Sequence, residues 1–222
     1  MHVLWNGLLG RIPISSLVLG KKSSQGIKVD TGAPTYPWGD IIGDVSPKTT
    51  GAGTPVLGTV FGGVWKGWFQ AAGDLTYCHY HLPHDYALGT DLFLHLHWLH
   101  NGTAISGNLI VDYAISYAKG HNQANFITEV TPQLSVSTPN IATIPQYRHR
   151  VDEIQISASS PSATQIDTDD LEPDGLITVG VTVNTIPTIT GGSTNKPCFL
   201  TLDVHYQSTG IGTKQKSPNF YS

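Results

Sequence analysis

Charged side chains are scarce in this sequence. They make up 13% of its 222 residues, against roughly a quarter in an ordinary soluble domain. Contact with water therefore falls to Ser, Thr, Asn and Gln. The formal net charge is −4, and Lys and Arg are scattered with no basic stripe, so the electrostatic footprint of a nucleic-acid binder is missing. Cysteine is nearly absent: Cys78 and Cys198 give neither a CxxC pair nor a disulfide framework. They could form one bridge or stay reduced as small core residues, and the second is the expectation for an intracellular pair. No run reaches the ~18 apolar residues of a membrane span, so no membrane partner is expected. The opening MHVLWNGLLGRIPISSLVLG is apolar but broken by Gly7, Gly10, Arg11 and Pro13. It lacks the basic start and unbroken apolar run of a signal peptide. The expectation is a soluble, unsecreted chain, in which the glycosylation pattern Asn101-Gly102-Thr103 carries little weight.

Glycine and proline are abundant, 24 and 14 residues, and no stretch shows a helical period with caps. Short alternating runs take its place. LTYCHYHL covers 75–82, and DLFLHLHWLH covers 91–100 with Leu92, Leu94, Leu96 and Trp98 on one side. NLIVDYAISYA puts Leu109, Val111, Tyr113, Ile115 and Tyr117 together, and GLITVGVTVNT does the same for Ile177, Val179, Val181 and Val183. FITEVTPQLSV and VDEIQISA lie between them, and CFLTLDVHYQS closes the series with Leu200, Leu202, Val204 and Tyr206 inward. With the Trp-rich GTVFGGVWKGWFQ this makes about eight strands, the number of a double-sheet jelly roll. The predicted fold is all-β, an antiparallel β-sandwich of jelly-roll type spanning 56–207. Residues 1–55, dense in Gly, Pro, Ser and Thr, are expected to form an extended N-terminal arm anchored by Trp38, Ile41 and Ile42. Residues 208–222 form a polar C-terminal tail with an aromatic end, Phe220 and Tyr221, which with Trp38, Ile41 and Ile42 are expected to be interface residues.

Chemistry concentrates on one strand. Residues two apart on a strand point the same way, so His95 and His97 project together, on the side of Asp91 and Phe93. Gly89, five residues, His95, one residue, His97 resembles the first motif of the cupins. Those are jelly-roll proteins that often hold iron, manganese or zinc inside the barrel. That resemblance implies a metal held by His95, His97 and a late histidine, His205, which shares a face with Asp203. The carboxylate that the cupin motif carries has no counterpart, because Asn101 and Gly102 stand in its place. His79 and His81 repeat the spacing on a neighbouring strand. The other reading is a polar sheet face or subunit interface, where neutral imidazoles bond to one another, to backbone or to water and make the contact pH-sensitive. We adopt it, with His79 and His81 as interface residues and no cofactor required.

Other motifs carry less. VDTGA at 29–33 and IIGD at 41–44 resemble aspartic-protease elements, but Pro34 and Pro37 break the needed geometry, and Asp30 reads as a turn residue. DTDDLEPDG at 167–175 lacks EF-hand spacing and reads as a solvated acidic turn between strands, with ion binding as the alternative. Trp65, Trp68 and Trp98 offer stacking faces for a sugar, although Trp98 sits on the leucine side. No phosphate loop or nucleophile elbow is present, and the chain is not expected to be an enzyme.

The pieces GIKVDTGAPTYPWGDIIGD, HLHWLHNG and DVHYQSTGIGTKQKSPNFY resemble a family of small structural proteins of tailed bacteriophages. They cover about a third of the chain. The resemblance implies a virion protein assembled in the host cytoplasm, a homo-oligomer and in particular a trimer. Its partners would be other virion proteins: it would decorate or cement a capsid, or belong to a tail or fibre.

Overall fold

The alternating runs become strands whose apolar sides face one another across one core. The structure, a computed structural model, describes residues 36–126, 130–131, 133–136 and 141–220, together with the backbone of four earlier strands. These are β1 (His2–Trp5), β2 (Leu8–Arg11), β3 (Val18–Lys22) and β4 (Gln25–Lys28), joined as two antiparallel pairs, β1 with β2 and β3 with β4. Residues 1–37 make one compact unit and 38–222 another. The VDTGA motif lies outside the described residues.

The second unit begins with β5 (Trp38–Gly43), β6 (Ser46–Pro47), β7 (Val56–Thr59), β8 (Lys66–Phe69), β9 (Leu75–His81) and β10 (Phe93–Leu99). It continues with β11 (Ala104–Ser106), β12 (Leu109–Ala118), β13 (Gln133–Val136), β14 (Arg150–Gln155), β15 (Ser157–Ala158) and β16 (Ile166–Asp167). The last strands are β17 (Leu176–Thr185), β18 (Thr188–Thr190) and β19 (Cys198–Gln207). One sheet runs β14-β10-β19-β8-β7, with β5 also on β19, and the other runs β13-β12-β17-β9-β6. Pairing within both is antiparallel. The result is an antiparallel β-sandwich of jelly-roll type.

The core matches the alternation. Leu94, Leu96, Trp98, Leu202 and Val204 of the first sheet meet Val111, Tyr113, Ile115, Ile177, Val179 and Val181 of the second, all essentially buried. The Trp98 indole N–H donates to the Asp152 carboxylate, so the largest core side chain leaves no unmet donor. Cys78 and Cys198 are free and buried, and burial pushes their thiols up to about 11 and about 12. Among the described residues no helix is long and apolar enough to cross a membrane.

Three local expectations change. First, Trp38, Ile41 and Ile42 belong to a sheet strand: β5 pairs with β19 from Trp38↔Gln207 to Leu202↔Gly43. The reason is an unfilled ladder. β8 pairs with β19 only at Cys198 and Phe199, and β5 satisfies the backbone groups further along that edge. Second, the register slips between His97 and Trp98, so that Phe199, not Leu200, stands opposite Trp98. This bulge reverses the alternation: Phe199 enters the main core, and Leu200 packs on a small cluster of Val60, Phe69, Leu99 and Cys198. Third, the C-terminal segment is fastened to the loop after β9. Ser208 bridges Tyr86, the Thr209 N–H donates to the Asp85 carbonyl at 2.7 Å, and Phe220 is buried within its own chain.

Candidate functional site

Because the leucines of β10 face the core, His95 and His97 must face the opposite way. The same parity applies to the strands beside β10. In register, His95 stands between Glu153 on β14 and Asp203 on β19, and His205 stands between Phe93 on β10 and Asp40 on β5. Four strands thus bring histidines and carboxylates onto the outer face of one sheet. The cupin reading requires the inside of the barrel, and that place is filled by Leu94, Leu96 and Trp98.

The three histidines expected from the sequence do converge. His95 Nε2 donates to Glu153 Oε2 at 2.6 Å, and its Nδ1 lies 3.5 Å from Asp203 Oδ2. His97 Nε2 touches Asp203 Oδ1, and its Nδ1 is 2.8 Å from His149 Nε2. His205 Nε2 is 2.7 Å from Asp40 Oδ1 and 3.4 Å from Asp203 Oδ2. The His95 and His205 rings lie close together, tilted by 55° with centroids 3.8 Å apart. Asp203 is the hub, at 5% exposure. Burial lowers the His97 imidazole below its ordinary range; Asp203 opposes this, and His149 and His95 reinforce it.

Three overlapping groups have ligand atoms within 4.8 Å of one another: His95, His97 and Asp203; His95, Glu153 and His205; and Asp40, Asp203 and His205. Asp203 was visible in the sequence through its shared face with His205. Asp40, Glu153 and His149 were not, since each joins through strand pairing that no local spacing announces. Glu153 does lie on the alternating run VDEIQISA, and that was the available signal.

A second group gathers where β9 ends and β17 begins. Asp174, at φ 62°, receives His81 Nε2 at 3.2 Å and His84 Nε2 at 3.1 Å on one oxygen, and His121 Nε2 at 2.7 Å on the other. Phe220 sets its ring edge-on against His84 and His121. The acidic stretch therefore ends in a histidine-bound carboxylate. Its earlier part is structural, with Asp167 capping a short 3-10 turn by accepting from the Asp169 N–H at 2.9 Å.

The remaining candidates scatter. His79 is exposed beside Tyr77 on the outer face of the second sheet, and Tyr221 lies outside the described residues. Trp98 is core and Trp68 packs against the core, whereas Trp65 is 61% exposed. Trp65 stacks on Phe61 with centroids 5.7 Å apart, and Phe61 also meets Tyr147 at 5.7 Å.

No protein-family model matches this chain, and no curated protein matches it. Among solved structures, the dimeric latent PorU of Porphyromonas gingivalis is similar over 77% of this chain and 13% of its own, at 8% identity and a TM-score of 0.30. A structure described as showing the promiscuous specificity of carbohydrate-binding modules from the β-sandwich superfamily is similar over 78% of this chain and 56% of its own. There the identity is 9% and the TM-score 0.29. The chain spans only a small part of the first of these proteins and just over half of the second.

Proposed function

We propose that this protein is a structural subunit of a tailed-bacteriophage virion, a capsid decoration or cement protein that docks on neighbouring capsid proteins. One observation carries the reading: an exposed apolar margin along the β7 edge of the first sheet. Val56 and Leu57 are both more than half exposed on β7, the last strand in its sheet. The turn that follows, VFGGVW, closes when the Val60 N–H donates to the Trp65 carbonyl at 2.8 Å. Gly62 and Gly63 take φ 62° and 72°, a conformation that β-branched and aromatic residues avoid. That turn holds Phe61, Val64 and Trp65 outward, with Val64 73% exposed. A short exposed apolar sheet edge beside an aromatic turn is a liability for an isolated chain and an asset for an assembling one.

The resemblance of the arm, histidine strand and tail to phage structural proteins supports the same reading, and a trimer is the oligomer it implies. The test is mass spectrometry of purified particles of the virus that encodes the chain, together with complementation by Leu57→Lys and Trp65→Ser. Wild-type chain is expected in particles at a stoichiometric level. Both variants are expected to fold, with unchanged circular dichroism, and to be missing from particles. Absence of wild-type chain from the particles would refute the reading.

A further inference from the structure

We propose that His95, His97 and Asp203 bind one divalent transition-metal ion on the outer face of the sheet, with solvent completing a four-coordinate shell. The argument starts from the hydrogens. Glu153 is acceptor-only, so the proton of His95 sits on Nε2, and Nδ1 turns a lone pair toward Asp203 Oδ2, 3.5 Å away. His97 reaches Asp203 with Nε2 and places Nδ1 2.8 Å from His149 Nε2. With the proton on Nδ1 donated to His149, the Nε2 lone pair also faces Asp203.

The contact between His97 and Asp203 fits this assignment. Both His97 Nε2 and Asp203 Oδ1 are buried, and neither has a hydrogen-bond partner among the described residues although they touch. Two acceptors in contact out of water repel unless a proton or a cation is shared between them, and an ion bound by both would open this contact to the ligand separation of a tetrahedral site. The side chain involved, Asp203, is more than nine-tenths buried.

The dimensions suit such an ion. Metal–ligand bonds of about 2.0–2.2 Å put neighbouring ligand atoms about 3.4 Å apart in a tetrahedron. The His95–Asp203 separation is already 3.5 Å, and all three ligand atoms lie within 4.8 Å of one another. His205 Nε2, 3.4 Å from Asp203 Oδ2, lies beside this set and bonds to Asp40 at 2.7 Å. Two imidazoles with one carboxylate select zinc or a neighbouring transition metal over magnesium or calcium, which prefer all-oxygen shells. Glu153 and His149 supply the outer hydrogen bonds that fix the orientation and tautomer of ligating histidines. Coordination would pin β10 to β19, the two central strands of this sheet, from outside.

Calorimetric titration of chelator-washed full-length protein with zinc chloride tests the proposal, with visible absorption of the Co2+ form as a second readout. One zinc per chain is expected, with the ligand-field bands of a four-coordinate Co2+ site. Asp203→Asn and His97→Gln should abolish both. Glu153→Gln removes only an exposed outer partner, so it should leave the fold intact and weaken zinc binding about 10–100-fold. His121→Gln, at the other histidine cluster, should change nothing. No saturable zinc binding by the wild type would overturn the proposal. So would affinity unchanged in Asp203→Asn or Glu153→Gln, or binding lost in His121→Gln.

Discussion

At Asp174 a single carboxylate does the work that a salt bridge does elsewhere, but with partners whose charge depends on pH. Desolvation is the largest single influence and pushes its proton affinity up. The His121 hydrogen bond and the fields of His84, His81 and His121 together outweigh it, so the carboxyl sits below its ordinary value of 3.8. The native state then binds fewer protons here than the unfolded chain in the window below 3.8. The stabilising contribution is complete above that value and is lost as pH falls through the folded one. Urea unfolding as a function of pH should therefore show a steeper loss of stability below about pH 4 in the wild type than in Asp174→Asn. Equal slopes would mean that the histidines do not act on Asp174. Position 174 reads in the sequence as one acid among several in a polar turn. Only the folded chain reveals that His81, His84 and His121, drawn from β9 and two loops, meet there.

Strand β5 shows the element scale. Its sequence WGDIIG is too short and too rich in glycine to stand out, yet it completes the free stretch of the β19 edge and carries Asp40 to His205. Gly43 ends the strand where it passes over the second sheet: a Cβ there would come within 2.6 Å of the Tyr80 ring and 3.1 Å of the Leu202 carbonyl. Tyr80 is almost fully buried and has little room to retreat. Gly43→Val is expected to cost about 1–3 kcal/mol by overpacking, measured by chemical denaturation, whereas Gly212→Ala, where a Cβ would meet only His84 at an ordinary 3.6 Å, should cost less. By contrast β10, on the other edge of β19, was legible because Leu92, Leu94, Leu96 and Trp98 alternate without exception. Its bulge was not legible, since the register slip arises from pairing with β19 and leaves no mark on β10 alone.

For the whole molecule, the division between units falls at residues 37 and 38, while the change in composition falls near residue 55. Composition registers density of Gly, Pro, Ser and Thr, and unit boundaries register which backbone groups find partners. Removal of residues 1–37 is expected to leave a cooperatively folding sandwich with a thermal midpoint within a few degrees of the intact chain. Removal of residues 1–50 strips β5 from β19 and β6 from β9, and is expected to lower the midpoint clearly more, by about 2–4 °C for each kcal/mol lost in a unit of this size. Calorimetry of both truncations separates the outcomes. An equal effect of the two deletions would show that β5 is dispensable.

The sequence by itself determined the all-β class, the identity of most core residues and the side of β10 on which its histidines stand, because period-two alternation is a local property. Tertiary structure alone decided that Glu153, His149 and Asp40 gather around those histidines and that Asp203 stands at their centre. Cross-strand neighbours are chosen by register between segments up to about a hundred and sixty residues apart, as His205 and Asp40 are. Register is set by how both sheets bury their apolar sides at once.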